Sequence, residues 1–130
     1  MVSGKKRSEA AAVSENENFV FSAELHYNDI PMWVFDRETL AFLAVNDVAI
    51  ERYGYSRDQF LAMTILDIRP SEDVIPLLQE ELRDRKHNSV GETWRHRTKD
   101  GAVIRVKISS RAIIFEGRPA EIVSATDCLR

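Results

Sequence analysis

The chain has 130 residues, 44% hydrophobic and 30% charged, with a net charge of −3. That length supports one domain with one core, and the slightly acidic balance gives no electrostatic footprint for nucleic acid or an anionic membrane. A single cysteine, Cys128, excludes an internal disulfide, and no apolar run approaches the roughly 20 residues of a membrane-spanning helix.

Residues 1–18 are polar or small and read as a solvated tail, with Lys5, Lys6 and Arg7 as its basic run. Residues 19–29 form a flanking helix in which Phe21, Leu25 and Tyr27 fall near helical spacing. They suit the outside of a sheet or a second subunit. Pro31 stops that helix.

Met32 to Asp36 is a strand, with Trp33 and Phe35 on one face and Met32 and Val34 on the other. Asp36 to Thr39 is a polar turn, and Leu40 to Val45 is the returning strand. Asn46 suits the N-cap of a helix over 47–53, and Gly54 stops it. Ser56 and Gln59 form a capping box that opens a second short helix bearing Phe60, Leu61 and Met63. A further turn over 64–68 leads to Pro70. Ser71 is expected to cap a longer helix with Val74, Leu77, Leu78 and Leu82 as its apolar stripe.

From Gly91 the period changes to two. Trp94 and His96 share one face against Arg95 and Arg97. Lys99-Asp100-Gly101 is a hairpin signal, followed by a strand over Val103 to Phe115. A turn at Glu116-Gly117-Arg118 leads to a last strand, Ala120 to Thr126. A hairpin, a helical block and a three-stranded meander predict an α+β fold with an antiparallel sheet.

The first hairpin, Asn46 opening a helix, Tyr53-Gly54-Tyr55-Ser56, Asp67 ahead of Pro70, the Lys-Asp-Gly hairpin and the closing Ala125-Thr126-Asp127 appear in an order that resembles a PAS domain, a sensor module of bacterial signalling proteins. The resemblance covers residues 30–127. It implies a five-stranded antiparallel sheet in order 2-1-5-4-3, with short helices and one longer helix on one face. It also implies that the first strand pairs with the last, and that residues 128–130 begin a linker to a C-terminal effector.

In that fold a cavity lies between the sheet and the helical block. Its expected lining is Trp33, Phe35, Val45, Tyr53, Leu61, Met63, Ile68, Leu78, Trp94, His96, Ile104 and Val106. These residues either fill the space as core or surround a small ligand. Relatives that form a flavin–thiol adduct need a cysteine in the helical block, which this stretch lacks. Relatives that bind haem use a histidine on the longest helix, where the inward positions here are Leu77, Leu78 and Leu82. His87 falls beyond that helix and His26 in the flanking one. No cofactor is therefore expected, with non-covalent flavin or a small organic ligand as the alternative. No trio of His, Cys, Asp and Glu has metal-ligand spacing, and no phosphate loop or nucleophile elbow is present.

The expected function is thus a non-catalytic regulatory module, most similar to those of sensor histidine kinases and cyclic-dinucleotide enzymes. It would act as a homodimer through Phe21, Leu25 and Tyr27. The alternative is a sensor that holds a ligand in the cavity; an enzyme with His96 as general base lacks a partner group in the sequence. The segment is expected in the cytoplasm, although a longer parent protein could be membrane-anchored.

Overall fold

A computed structural model of the chain describes residues 23–74 and 89–128. Five strands, β1 (Met32–Asp36), β2 (Phe42–Val45), β3 (Ser89–Arg97), β4 (Val103–Phe115) and β5 (Arg118–Asp127), form one sheet in the order β2-β1-β5-β4-β3. All four pairings are antiparallel. β1 therefore lies at the sheet's interior, beside the last strand, with Trp33 opposite Val123 and Met32 opposite Ser124.

The alternation of β1 decides which residues face which layer. Trp33 and Phe35 enter a buried cluster with Phe42, Val45, Val106, Ile108, Val123 and Ala125 on the inner face. Met32 and Val34 join Leu25, Ile113, Phe115, Ala120 and Ile122 on the outer face. A helical turn at 23–26 covers that outer face. Leu25 is its anchor at 1% exposure, and Glu24 pairs with Arg111 of β4 at 2.9 Å.

On the inner face sit α1 (Asp47–Tyr53), α2 (Arg57–Leu61) and two 3-10 helices, η1 (Ile65–Ile68) and η2 (Ser71–Asp73). Asn46 caps α1 and does more than cap it. Its Oδ1 accepts from Ala49 N at 2.9 Å and Met32 N at 3.1 Å, while Nδ2 donates to Leu25 O at 3.0 Å and Ile30 O at 2.8 Å. One fully buried amide, with two bonds to its oxygen and two from its nitrogen, ties the flanking turn, β1 and α1 together. The Ser56–Gln59 capping box opens α2 as the sequence predicts. A second capping box, Thr64 with Asp67, opens η1 and explains the Asp before Pro70.

Two local expectations are corrected. Leu40 is not part of β2: it adopts φ 66°, because Asp36 organises the preceding turn. The Asp36 carboxylate accepts from Glu38 N at 2.7 Å and Thr39 N at 3.1 Å, and Leu40 N donates to Asp36 O at 2.7 Å. Ser71 is not a helix cap. It is the first residue of η2, Pro70 takes the cap position, and no side chain caps there. The rest of the long helix expected after Ser71, with Leu77, Leu78 and Leu82, lies outside the described residues, as do Phe21 and His87.

The hairpins turn on positive φ. Gly101 (φ 94°) closes the β3–β4 turn, where Gly101 N donates to Thr98 O at 3.0 Å. Glu116 (φ 51°) and Gly117 (φ 77°) form the two-residue β4–β5 turn, in which both central residues need a left-handed backbone.

Candidate functional site

The inner face is built around aromatic rings. Trp33 of β1 packs edge-on against Phe42 of β2 (5.9 Å between centroids) and Tyr53 of α1 (5.8 Å). Phe60 of α2 sits against Phe42 at 5.0 Å, Tyr55 at 5.5 Å and Tyr53 at 6.2 Å. T-shaped contacts of this kind place ring edges on ring faces. Phe42 and Phe60 are thus site residues that the sequence reading did not single out. Alternation in the short β2 strand and the i+4 spacing from Ser56 were the available signals.

Tyr53 and His96 join the helical block to the sheet. Tyr53 Oη lies 2.6 Å from His96 Nδ1, with both side chains buried, and Trp33 lies 5.8 Å from the imidazole. The hydrogen bond is satisfied with the phenol donating to Nδ1 and the ring proton on Nε2, a tautomer inferred from the contact. Burial raises the Tyr53 pKa far above its ordinary value, so the phenol stays protonated. Burial, helped by the Arg69 guanidinium, pulls His96 down to about 3. His96 is therefore a neutral core histidine held by a tyrosine.

Of the expected lining, Trp33, Phe35, Val45, Tyr53, Ile68, His96 and Val106 are buried on the inner face. Met63, Trp94 and Ile104 are partly buried against the same cluster. Leu61 departs from this pattern. It is 44% exposed at the end of α2, where the buried position is Phe60. Leu78 lies outside the described residues. Leu25, expected at a dimer contact, is instead consumed by the chain's own outer face, whereas Tyr27 is 91% exposed.

Arg69 was not anticipated. Just after η1, it is buried with its guanidinium 4.1 Å above the Trp94 ring. Its nearest carboxylate, Asp73, is 3.7 Å away. Asp73 is instead gripped by Arg95 of β3 at 2.7 and 3.0 Å. That hydrogen bond holds the Asp73 carboxyl below its usual range. A lone arginine between apolar residues has the sequence signature of a solvated turn, so its burial shows only in tertiary structure.

Next to Tyr53 on α1, Arg52 Nε binds both carboxylate oxygens of Asp127 at 3.2 Å. Clefts of about 390 and 500 Å³ open on either side of Arg52; Asp127 and Pro31 line the first, Lys99 and Asp100 the second. Among the described residues no group of three or more His, Cys, Asp or Glu is arranged to hold a metal ion. No helix among them is long and apolar enough to cross a membrane.

This architecture matches solved sensor domains. A PAS domain from a two-component sensor histidine kinase superposes with a TM-score of 0.70 at 25% identity, over 88% of this chain and 99% of that one. The chain has the fold of a PAS domain. A domain of a sensory box sensor histidine kinase/response regulator from Geobacter sulfurreducens shares the fold, at TM-score 0.69 and 21% identity over 85% of this chain and 94% of that one. A curated relative, the methyl sulfide methyltransferase-associated sensor of Methanosarcina acetivorans, is 27% identical over 109 residues, or 84% of this chain. The chain spans 11% of that relative's length. No protein-family model matches the sequence.

Proposed function

We propose that this PAS domain is a non-catalytic sensory module of a signal-transduction protein, most similar to a sensor histidine kinase, that dimerises and relays the state of its inner face to a C-terminal effector. The observation that carries this reading is the placement of two consecutive residues of α1. Tyr53 reaches inward to His96, and Arg52 reaches outward to Asp127 at the end of β5. A displacement of α1 by a change on the inner face would load the point where the chain leaves the sheet. The start of β1 lies at the same place, since Ala125 N donates to Pro31 O at 3.0 Å. Flanking segments on either side of the domain would therefore emerge together. Such a relay needs two arrangements of α1 with different affinity for the signal.

The absence of chemistry in this reading rests on His96. A neutral imidazole, buried and committed to Tyr53, is a poor general base. For the dimer, Tyr27, 91% exposed, is the candidate. Light scattering coupled to gel filtration on the intact chain should give twice the monomer mass, and Tyr27→Glu should return it to monomer. A monomeric intact chain at high concentration contradicts the dimer. In the longer signalling protein, reversing the charge at Arg52 should change effector output, and unchanged output contradicts the relay.

A second reading, in which the inner face holds a small molecule, is favoured by one observation: the buried guanidinium of Arg69.

A further inference from the structure

Arg69 carries N–H donors that the described residues leave unpaired, although Asp73 makes a long ion pair with its Nη2. Its side chain is 10% exposed. Nε and Nη1 are fully shielded from solvent and have no hydrogen-bond partner. These two atoms bear three of the five N–H donors of a guanidinium. Buried polar groups are almost always paired, and a buried cation without an acceptor is among the costlier arrangements a fold can keep. The neighbours do not relieve it. Asp73 is at 3.7 Å, beyond hydrogen-bond range, and its oxygens are engaged by Arg95, which also binds Glu72 at 3.1 Å.

We infer that Arg69 is an anion anchor on the inner face, where its unpaired Nε and Nη1 donors, shielded from water in the ligand-free chain, would take the carboxylate of a small organic acid whose apolar body lies against Trp94. This deepens the ligand-binding reading above and rests on it. The chemistry of the site selects the ligand class. Among the described residues, Arg69 is the cation at this point with donors left unpaired, which matches a single negative charge. Arg95, the next cation, is already neutralised by Asp73 and Glu72. A phosphate dianion would be left half-compensated. The guanidinium carbon lies 4.1 Å from the centre of the indole, so that ring covers one side of the group, and the Nε and Nη1 donors of a guanidinium match a carboxylate. Trp94 is only partly buried and packs against the apolar inner cluster, which leaves it as a wall for an aromatic or aliphatic body.

The test uses the full chain, with benzoate and hexanoate as probes, benzamide as the uncharged control and inorganic phosphate as the competing anion. Arginine-detected NMR follows the Arg69 Nε–H resonance, and thermal unfolding follows binding. Both acids should shift that resonance and raise Tm, and benzamide should do neither. Arg69→Met should fold with a Tm at or above that of the unliganded wild type and bind the acids about tenfold more weakly or worse. The inference is overturned if neither acid moves the Nε–H signal, if phosphate binds more tightly than the acids, or if Arg69→Met responds as wild type does. Should Arg69→Met fail to fold, the wild-type resonance and Arg69→Lys still decide, because lysine keeps the charge but loses the planar donor edge. If the acids bind at Arg69 but leave effector output unchanged, the sensor reading fails and the site stands. If output responds to an acid while Nε–H stays still, the site fails and the sensor reading stands.

Discussion

Tyr53 Oη and His96 Nδ1 meet at 2.6 Å across the inner face, one from the last residue of α1 and the other from β3. Strands β3 and β1 are separated by two others in the sheet. The bond therefore ties the helical block to the half of the sheet that α1 does not flank in sequence. Replacing Tyr53 by Phe keeps the ring packing on Trp33 and Phe60 but leaves Nδ1 without its partner in a buried site. The expected cost is roughly 1–3 kcal/mol, read from the urea midpoint with an unchanged m-value.

His96 gives the domain an acid-side stability slope. Its folded pKa is pulled to about 3 from an ordinary 6.5, so the unfolded chain binds the proton more readily. The stabilisation is fully present above the unfolded value and is lost as pH falls toward the folded one, at about 1.4 kcal/mol per pH unit. Asp36, Asp73 and Asp100 all sit below their ordinary value of 3.8, so their losses come at lower pH. Between about pH 6 and 4.5 the slope should therefore belong mainly to His96. Urea titrations across that window should show it in wild type and show it flattened in His96→Gln.

Asn46→Ala should be among the most damaging single changes at a polar position. It removes the cap of α1, strands Met32 N and Leu25 O in buried places, and leaves the half-buried Ile30 O without its donor. The cap alone contributes about 1 kcal/mol, and the unpaired groups bring the expected loss to roughly 3 kcal/mol. Asn46→Asp keeps the oxygen and loses the two amide donors, so its Tm should fall between those of wild type and Asn46→Ala.

Asp36 should respond differently. Burial pushes its carboxyl up, but the amides of Thr39 and Glu38 and the Arg118 guanidinium outweigh that and hold it below the ordinary value. Asp36→Asn should keep part of the turn through its amide oxygen, whereas Asp36→Ala should release Leu40 from its positive φ. Proteolysis at 37–40 should rise in the alanine variant and not in the asparagine one.

The elements written in local signals were legible beforehand. The helix over Asp47–Tyr53, the Ser56 capping box and the strand over Val103–Phe115 were all anticipated, because caps and period-two alternation act within a few residues. The parity of Trp33 and Phe35 against Met32 and Val34 was legible for the same reason. Leu40 was not, since its conformation follows from a side chain four positions away that is held in turn by Arg118 at 3.0 Å, 82 residues on. Leu61 was misplaced because the hydrophobic pair Phe60-Leu61 does not say which member faces the core. Arg69 was invisible because its setting is tertiary: β3 supplies both the ring beneath it and the arginine that withdraws Asp73.

The central claim, that α1 links the inner face to the point where β5 ends, is tested most directly by amide hydrogen exchange at Ala125 and Cys128 in wild type, Tyr53→Phe and Arg52→Ala. Those amides are bonded to Pro31 O and Arg105 O at 3.0 Å, and neither bond involves Tyr53, His96 or Arg52. The Arg52–Asp127 pair is exposed enough that its loss should change global stability by less than about 1 kcal/mol. Faster exchange at Ala125 and Cys128 in both variants, beyond what the change in global stability explains, is the predicted result. Rates at these two amides that merely track global unfolding in both variants would contradict the coupling.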